Sequence, residues 1–231
     1  MNRLYQKEIL ISDSLLTFEL HCYNGPSHFY HNVISVNQAH TNSILIVKNL
    51  EQTFELKKLP HQMIAQDGIA VDLSINDIQN ISLCLKTADC LPLVMLGKKF
   101  IFLIHAGWRG LEQKIIKNAF KIDPSIYYLF FGPHIREENY EVSLDFADHF
   151  PRSNALSAHP FKKEKLLMNL KQQAINQFCD CLQLVDSPMA KIEDSLIDTY
   201  SDQTFPSFRR DQTTERIYHY LTIKLRSLNL N

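Results

Sequence analysis

The chain has 231 residues, 45% hydrophobic and 21% charged, enough to bury one sizeable core, so one domain over residues 1–231 is expected. Its formal net charge of −1 lacks the basic footprint of a duplex-binding protein, so nucleic acid is not an expected partner. No apolar run is long enough to cross a bilayer, the N-terminal stretch lacks the apolar core of a signal peptide, and the cysteines number five. Together these predict a cytoplasmic protein with no membrane partner, whose thiols are free or bind metal.

The N-terminal third reads mostly as strands, among them FELHCY (18–23) and SILIV (43–47). SLCLK (82–86), LPLVML (91–96) and FIFLIHA (100–106) follow as strands rich in branched and aromatic residues, the first two separated by a polar TAD break and the last two by a GKK turn. GWRGLEQKIIKNAF (107–120) carries Leu111, Ile115, Ile116 and Ala119 at helical spacing, and IDPS closes the element with a proline. IYYLFFGP reads as a buried strand, residues 149–165 as a loop, and KLLMNLKQQAINQFCDCL (165–182) as a helix with Leu167, Leu170, Ala174 and Phe178 on one face. RIYHYLTIKL (216–225) is a last strand offering Ile217, Leu221, Ile223 and Leu225 to the core. Strands and helices mix without a βαβ rhythm, and no GxGxxG loop occurs among six glycines. The fold expected is α+β, with a mixed or antiparallel sheet packed by helices.

A two-residue turn at Gly97 and Lys98 would join LPLVML to FIFLIHA with Leu96 facing Lys99, which sets Cys90 opposite His105. Opposed residues share one face with Cβ atoms roughly 4.5 to 5.5 Å apart, and both of these sit at strand ends, where a cleft can be built. Such a pair serves two chemistries: His105 activates the Cys90 thiol, or both ligate zinc or copper. A catalytic zinc site commonly needs a third protein donor, and His40, His61, His134 and His219 are the candidates. Spacing alone does not choose among them.

Arg109 falls in the first turn of the predicted helix, where free N–H groups favour an anion. Arg209 and Arg210 precede the last strand, where at least one can enter a site. Asp89, next to Cys90, and Asp67 in QDG can orient a histidine or a substrate hydroxyl. Trp108 reads as core. Cys179 and Cys181 fall about 200 degrees apart on the predicted helix, which argues against a shared metal.

Taken together, TADCLPLVML, HAGWRGL, GPHI followed by YEV, and FRRD resemble, in order and spacing, the laccase-domain family, also called multicopper polyphenol oxidase or YfiH-like proteins. QAH at 38–40 and QDGIAV at 66–71 extend the resemblance to roughly residues 36–225. It implies a fold similar to the catalytic domain of the cytotoxic necrotizing factors, a metal held by His40, Cys90 and His105, and phosphorolysis of purine nucleosides, with adenosine deamination and methylthioadenosine cleavage as further activities. On that reading the cofactor is zinc, with copper as the alternative metal. The partners are a purine nucleoside and phosphate, and the protein is a monomer or weak homodimer. Cys90, His105 and Asp89 would be catalytic, while Arg109, Arg210, Asp67 and His134 would bind substrate or phosphate.

The sequence departs from the family pattern at Thr41, where a glycine is usual, at His134 and Arg136 in place of cysteine and glycine, and at Glu215 in TER in place of TGR. The competing expectations are a cysteine hydrolase or amidase working through Cys90 and His105, and a copper-dependent polyphenol oxidase. The latter calls for more clustered histidine and cysteine ligands than this constellation offers.

Overall fold

In the computed structural model, residues 2–10, 16–27, 30, 32–49, 51, 65–183 and 190–225 are described. The strands are β1 (Arg3–Leu10), β2 (Leu16–Tyr23), β3 (Val33–Ser35), β4 (Ile44–Val47), β5 (Gly68–Asp72), β6 (Ser82–Thr87), β7 (Leu91–Leu96), β8 (Phe100–Ala106), β9 (Tyr128–Phe131), β10 (Glu141–Ser143), β11 (Leu156–Ala158), β12 (Lys165–Met168), β13 (Lys191–Asp194) and β14 (Ile217–Leu225). The helices are α1 (Trp108–Glu112), α2 (Ile115–Ile122), α3 (Phe146–His149), α4 (Leu170–Leu182) and α5 (Phe208–Asp211). Among the described residues no helix is long and apolar enough to cross a membrane.

The unbroken apolar runs of β7 and β8 are explained by cover on both faces. These strands sit in a six-stranded mixed sheet of order β13-β9-β7-β8-β5-β4, and every residue of both is buried. Val94, Leu96, Ile101 and Leu103 pack with Leu20, Leu83, Ile217 and Leu221 of a five-stranded sheet of order β1-β2-β14-β6-β3. Leu93, Met95, Phe102 and Ile104 pack on the opposite side with Leu111, Ile116, Phe120, Ala174 and Phe178 of the helices. The result is two sheets and a helical layer, with a small β10-β12-β11 sheet beside them, an α+β arrangement as expected.

Four local expectations need correction. First, the β7–β8 turn is Lys98–Lys99: Leu96 faces Ile101 and Pro92 faces His105, with the Gly97 N–H donating to the Phe100 carbonyl at 2.9 Å. The Asp123 carboxylate accepts from the N–H groups of Lys99 (2.8 Å) and Phe100 (3.0 Å), and a Cβ at Gly97 would overlap that carboxylate. Gly97 is therefore there for a close approach, and no glycine has a positive φ. The register moves by two residues, which preserves parity, so Cys90 stays on the same face as His105.

Second, the helix predicted over 107–120 is broken at Lys114, which is left-handed at φ 62°. The carbonyl of Gln113 accepts from the Asn42 side chain at 2.7 Å and the Gln113 side chain donates to the His40 carbonyl at 3.1 Å. The end of α1 thus bonds to the loop carrying His40. Third, KLLM is strand β12, paired with β10 and β11, and Leu167 belongs to that strand. The helix begins after Asn169, whose side chain accepts from the Gln172 N–H at 2.8 Å as a cap should. Fourth, residues 149–165, expected as loop, contain β11.

Candidate metal centre

The site lies where strands of the two sheets end together. The TAD segment carries the chain from β6 in one sheet to β7 in the other, and Cys90 ends that crossing. His105 is the penultimate residue of β8 and only 4% exposed. His40 arrives on the loop between β3 and β4, exposed and left-handed at φ 56°.

A left-handed non-glycine residue costs of order 1–3 kcal/mol and persists where the surroundings hold it. At His40 the holder is Asp67, a fully buried carboxylate immediately before β5. Its Oδ2 accepts from the N–H of Ala39 (3.2 Å), the N–H of Thr41 (2.6 Å) and the Thr41 hydroxyl (2.9 Å). Its Oδ1 accepts from His105 Nδ1 at 2.7 Å. One carboxylate thus fixes both histidines, and the hydroxyl of Thr41, where the family usually has glycine, is part of the fixing.

Asp89 does the corresponding work for Cys90. It is left-handed at φ 85°; its Oδ1 accepts from the Thr199 hydroxyl at 2.7 Å and its Oδ2 from the Arg209 N–H at 2.6 Å. The carboxylate expected to be catalytic thus joins the TAD turn to α5, and it also lines the smaller of the two cavities that open at the site.

The ligand atoms of His40, Cys90 and His105 all lie within 4.8 Å of one another, and among the described residues this is the group able to hold a metal. With Nδ1 donating to Asp67, His105 keeps its Nε2 lone pair for the centre. A Cβ at Gly107 would come 3.1 Å from Cys90 Sγ and 3.6 Å from His105 Nε2, so the first glycine of HAGWRG leaves this space open. Two nitrogens and a thiolate suit zinc or copper, and three donors leave a coordination position for substrate or water. The residues therefore fit a metal.

The electrostatics favour a thiolate at Cys90 beside a protonated His105, which gives up its Nε2 proton when a metal binds. Burial opposes a charged Cys90, but the charge and hydrogen bond of His105, with His40, bring its thiol down to about 6. Burial likewise opposes a charged His105, yet Cys90 and Asp67 raise it to about 9. Asp67 stays below its usual range because its bonds to His105 and Thr41 outweigh its burial.

Two cavities open on this floor and share His40, Ala88, Cys90 and Phe208. The larger, about 410 Å³, adds His105, Val36, Thr87, Lys86 and Arg216. The smaller, about 220 Å³, adds Arg109, Arg209, Trp108 and Tyr140. Arg109 lies over the Trp108 ring at 4.2 Å and Arg209 over the Tyr140 ring at 5.1 Å. Phe208, 50% exposed, stands between the lobes. A separate cavity of about 330 Å³ involving α1, α2 and α4 touches none of the three donors.

Several candidates sit elsewhere. Arg210 turns away from the cavities: its guanidinium donates to the carbonyls of Thr199, Tyr200, Asp202 and Phe205 and pairs with Asp211 at 2.6 Å. Of the two neighbouring arginines it is Arg209 that enters the site. His134 is buried, bonds through Nδ1 to the Gly132 carbonyl at 2.7 Å, and lines neither lobe. Its place in a substrate site is not what the geometry gives. His219 is buried between Cys22 Sγ (3.1 Å) and the Thr87 hydroxyl (2.7 Å), and His61 lies outside the described residues. Arg136 forms a two-pronged pair with Asp194 at 2.9 and 2.6 Å. Glu215 is exposed and lines neither lobe. Cys179 is exposed and Cys181 buried, diverging as helical spacing requires.

Sequence reasoning gave no site role to Phe208, Tyr140, Lys86 or Arg216. The available signal was modest: an aromatic residue before the arginine pair in FPSFRRD, and cations close to the TAD break and the last strand.

A family model described as multi-copper polyphenol oxidoreductase laccase matches residues 25–224. A protein of Aquifex aeolicus called purine nucleoside phosphorylase is 30% identical over 151 residues, covering 63% of this chain and 68% of that one. A Campylobacter jejuni protein of the same name is 27% identical over 177 residues, covering 71% of this chain and 74% of that one. Among solved structures, the Bacillus licheniformis hypothetical protein YfiH superposes with a TM-score of 0.70 at 19% identity, over 90% of this chain and 93% of that one.

Proposed function

The chain belongs to the multi-copper polyphenol oxidoreductase laccase family, and we propose that within it this protein is a zinc-dependent purine nucleoside phosphorylase. The observation that carries the reading is the convergence of His40, Cys90 and His105 on a floor shared by two cavities, one of them lined by Arg109 and Arg209. The names of the relatives support the same activity.

In this reading the nucleoside occupies the larger lobe and inorganic phosphate the smaller, where two guanidinium groups match its oxygens. Phe208 offers a ring face on which a purine can stack. Phosphate attacks C1′: the C1′–O bond forms, the C1′–N bond breaks, and the base leaves with the bonding pair and gains a proton, giving free base and ribose 1-phosphate. Zinc, when bound, supplies Lewis-acid polarisation. Asp67 holds His105 in the tautomer that leaves Nε2 free, and Asp89 holds the turn that presents Cys90 and the backbone of Arg209. Adenosine, inosine and methylthioadenosine are the proposed substrates, with adenosine deamination as a secondary activity.

The test is incubation of metal-loaded protein with adenosine or inosine and phosphate, following free base, ribose 1-phosphate and inosine. Arg109→Ala should raise the KM for phosphate far more than that for nucleoside, and Cys90→Ala should lose one equivalent of zinc. No turnover of any purine nucleoside at full metal occupancy overturns the proposal. The lowered Cys90 thiol beside His105 supports a second reading, a cysteine hydrolase or amidase. Metal-free protein with an acidic, alkylatable Cys90 would favour it.

A further inference from the structure

Phosphorolysis of an uncharged nucleoside requires one anion, and the lobe holding Arg109 and Arg209, with the Asp89 carboxylate beside them, provides for it. The larger lobe is cationic as well. Lys86 and Arg216 line it, and no aspartate or glutamate does, although acidic residues outnumber lysine and arginine 25 to 24 in the whole chain. None of the four cations forms an ion pair among the described residues, whereas Arg136, Lys171, Lys191, Arg210 and Lys224 all do.

The backbone of Lys86 and the guanidinium of Arg216 are both held in place. The amide of Gln38, beside the His40 loop, bonds the backbone of Lys86 on both sides, accepting from its N–H at 2.7 Å and donating to its carbonyl at 2.6 Å. The Lys86 ammonium lies 5.3 Å from the Tyr218 ring centre. Arg216 donates through Nη1 to the carbonyls of Thr213 (3.1 Å) and Glu215 (2.7 Å). These bonds use one side of the guanidinium, and Nε and Nη2 have no bonded partner among the described residues.

We infer that the larger lobe receives an anionic group carried by the substrate itself, so that the site holds two anions at once and prefers purine nucleoside 5′-monophosphates to the uncharged nucleosides. The chemistry of this inference rests on the phosphorylase reading, while the binding it calls for does not. At about 410 Å³ the lobe is of the size that small-molecule ligands occupy. Phe208 and the metal floor meet the base and sugar, and Lys86 with Arg216 meets the 5′-phosphate. The balanced step is nucleoside 5′-phosphate plus inorganic phosphate to free base plus ribose 1,5-bisphosphate, with the same bond made at C1′ and the same bond broken as above.

Equilibrium binding of adenosine and of 5′-AMP to the full chain tests the inference without turnover. The expected result is that 5′-AMP binds at least ten-fold tighter than adenosine, that Lys86→Gln and Arg216→Gln each reduce this ratio several-fold, and that inorganic phosphate does not displace 5′-AMP. Lys86 is exposed, and melting curves of both variants check that the fold is intact. Equal affinity for the two ligands, or competition between phosphate and 5′-AMP for one site, overturns the inference. Base release from adenosine and 5′-AMP is then measured separately. Tight 5′-AMP binding with no base released from either would sink the phosphorylase reading and leave the two-anion site standing; release from adenosine with no preference for 5′-AMP would do the reverse.

Discussion

Asp67→Asn separates the charge of a buried carboxylate from its shape. Oδ2 of Asp67 accepts three donors from Ala39 and Thr41, and Oδ1 accepts one from His105. An asparagine has one acceptor oxygen and one NH₂ group. Placing the NH₂ toward Thr41 would set it against three donors, so the oxygen takes that side and the NH₂ faces His105. His105 must then accept at Nδ1 and carry its proton on Nε2, the atom that faces Cys90. A metal can bind only after that tautomer is reversed. Loss of such a supporting carboxylate costs about 10–100-fold in metal affinity, or about 1.4–2.8 kcal/mol. Loss of the charged hydrogen bond also lowers fold stability by about 2 kcal/mol. Zinc affinity is measured by chelator competition and stability by urea unfolding of the metal-free protein. A variant that binds zinc as tightly as the parent, with its fold intact, would show that Asp67 does not set the tautomer of His105.

Arg210→Ala should lower stability by several kcal/mol, because four carbonyl oxygens between Thr199 and Phe205 lose their donor, while the KM for phosphate stays as in the parent. Arg209→Ala should do the opposite: the backbone N–H that bonds Asp89 survives the change, and the KM for phosphate rises; urea midpoints and phosphate titrations distinguish the pair. Stability should also fall on acidification below pH 6.5. Burial pushes His134 down to about 4 and His219 down to about 3, against roughly 6.5 in an unfolded chain. Between those limits the unfolded state binds more protons, so the stability these neutral histidines contribute is complete above pH 6.5 and drains as pH falls toward their folded values. With nearly two protons taken up, the slope near pH 5 is about 2.5 kcal/mol per pH unit. Unfolding midpoints that stay level from pH 7 to pH 5 would contradict it.

What could be read from the sequence and what could not divides along the distance over which each residue is held. β7 and β8 announce themselves by local apolar runs, and the parity of a strand pair put Cys90 and His105 on one face even though the turn was misplaced. The turn itself depends on Asp123, 24 residues beyond Lys99, which supplies its hydrogen bonds without any glycine at positive φ. The break between α1 and α2 depends on Asn42 and Gln113, 71 residues apart. KLLM has helical spacing, but β10 and β11 offer it partners on both sides, and pairing overrides spacing.

The same division runs through the metal centre. His40 could be told from His134 and His219 only by family resemblance, because its approach is fixed by Asp67 from another strand, whereas the other two are buried against Gly132, Cys22 and Thr87. The choice of Arg209 over Arg210 is likewise made by remote carbonyls. Both left-handed residues at the centre, His40 and Asp89, are secured by carboxylates bonded far along the chain: Asp67 reaches Ala39 and Thr41 across some 26 residues, and Asp89 reaches Thr199 across 110. A donor set held by remote acids cannot be assembled from its own loop. It follows that disturbing either carboxylate should loosen a ligand and leave the sheets, whose pairing is carried by β2, β14, β6, β7 and β8, in place.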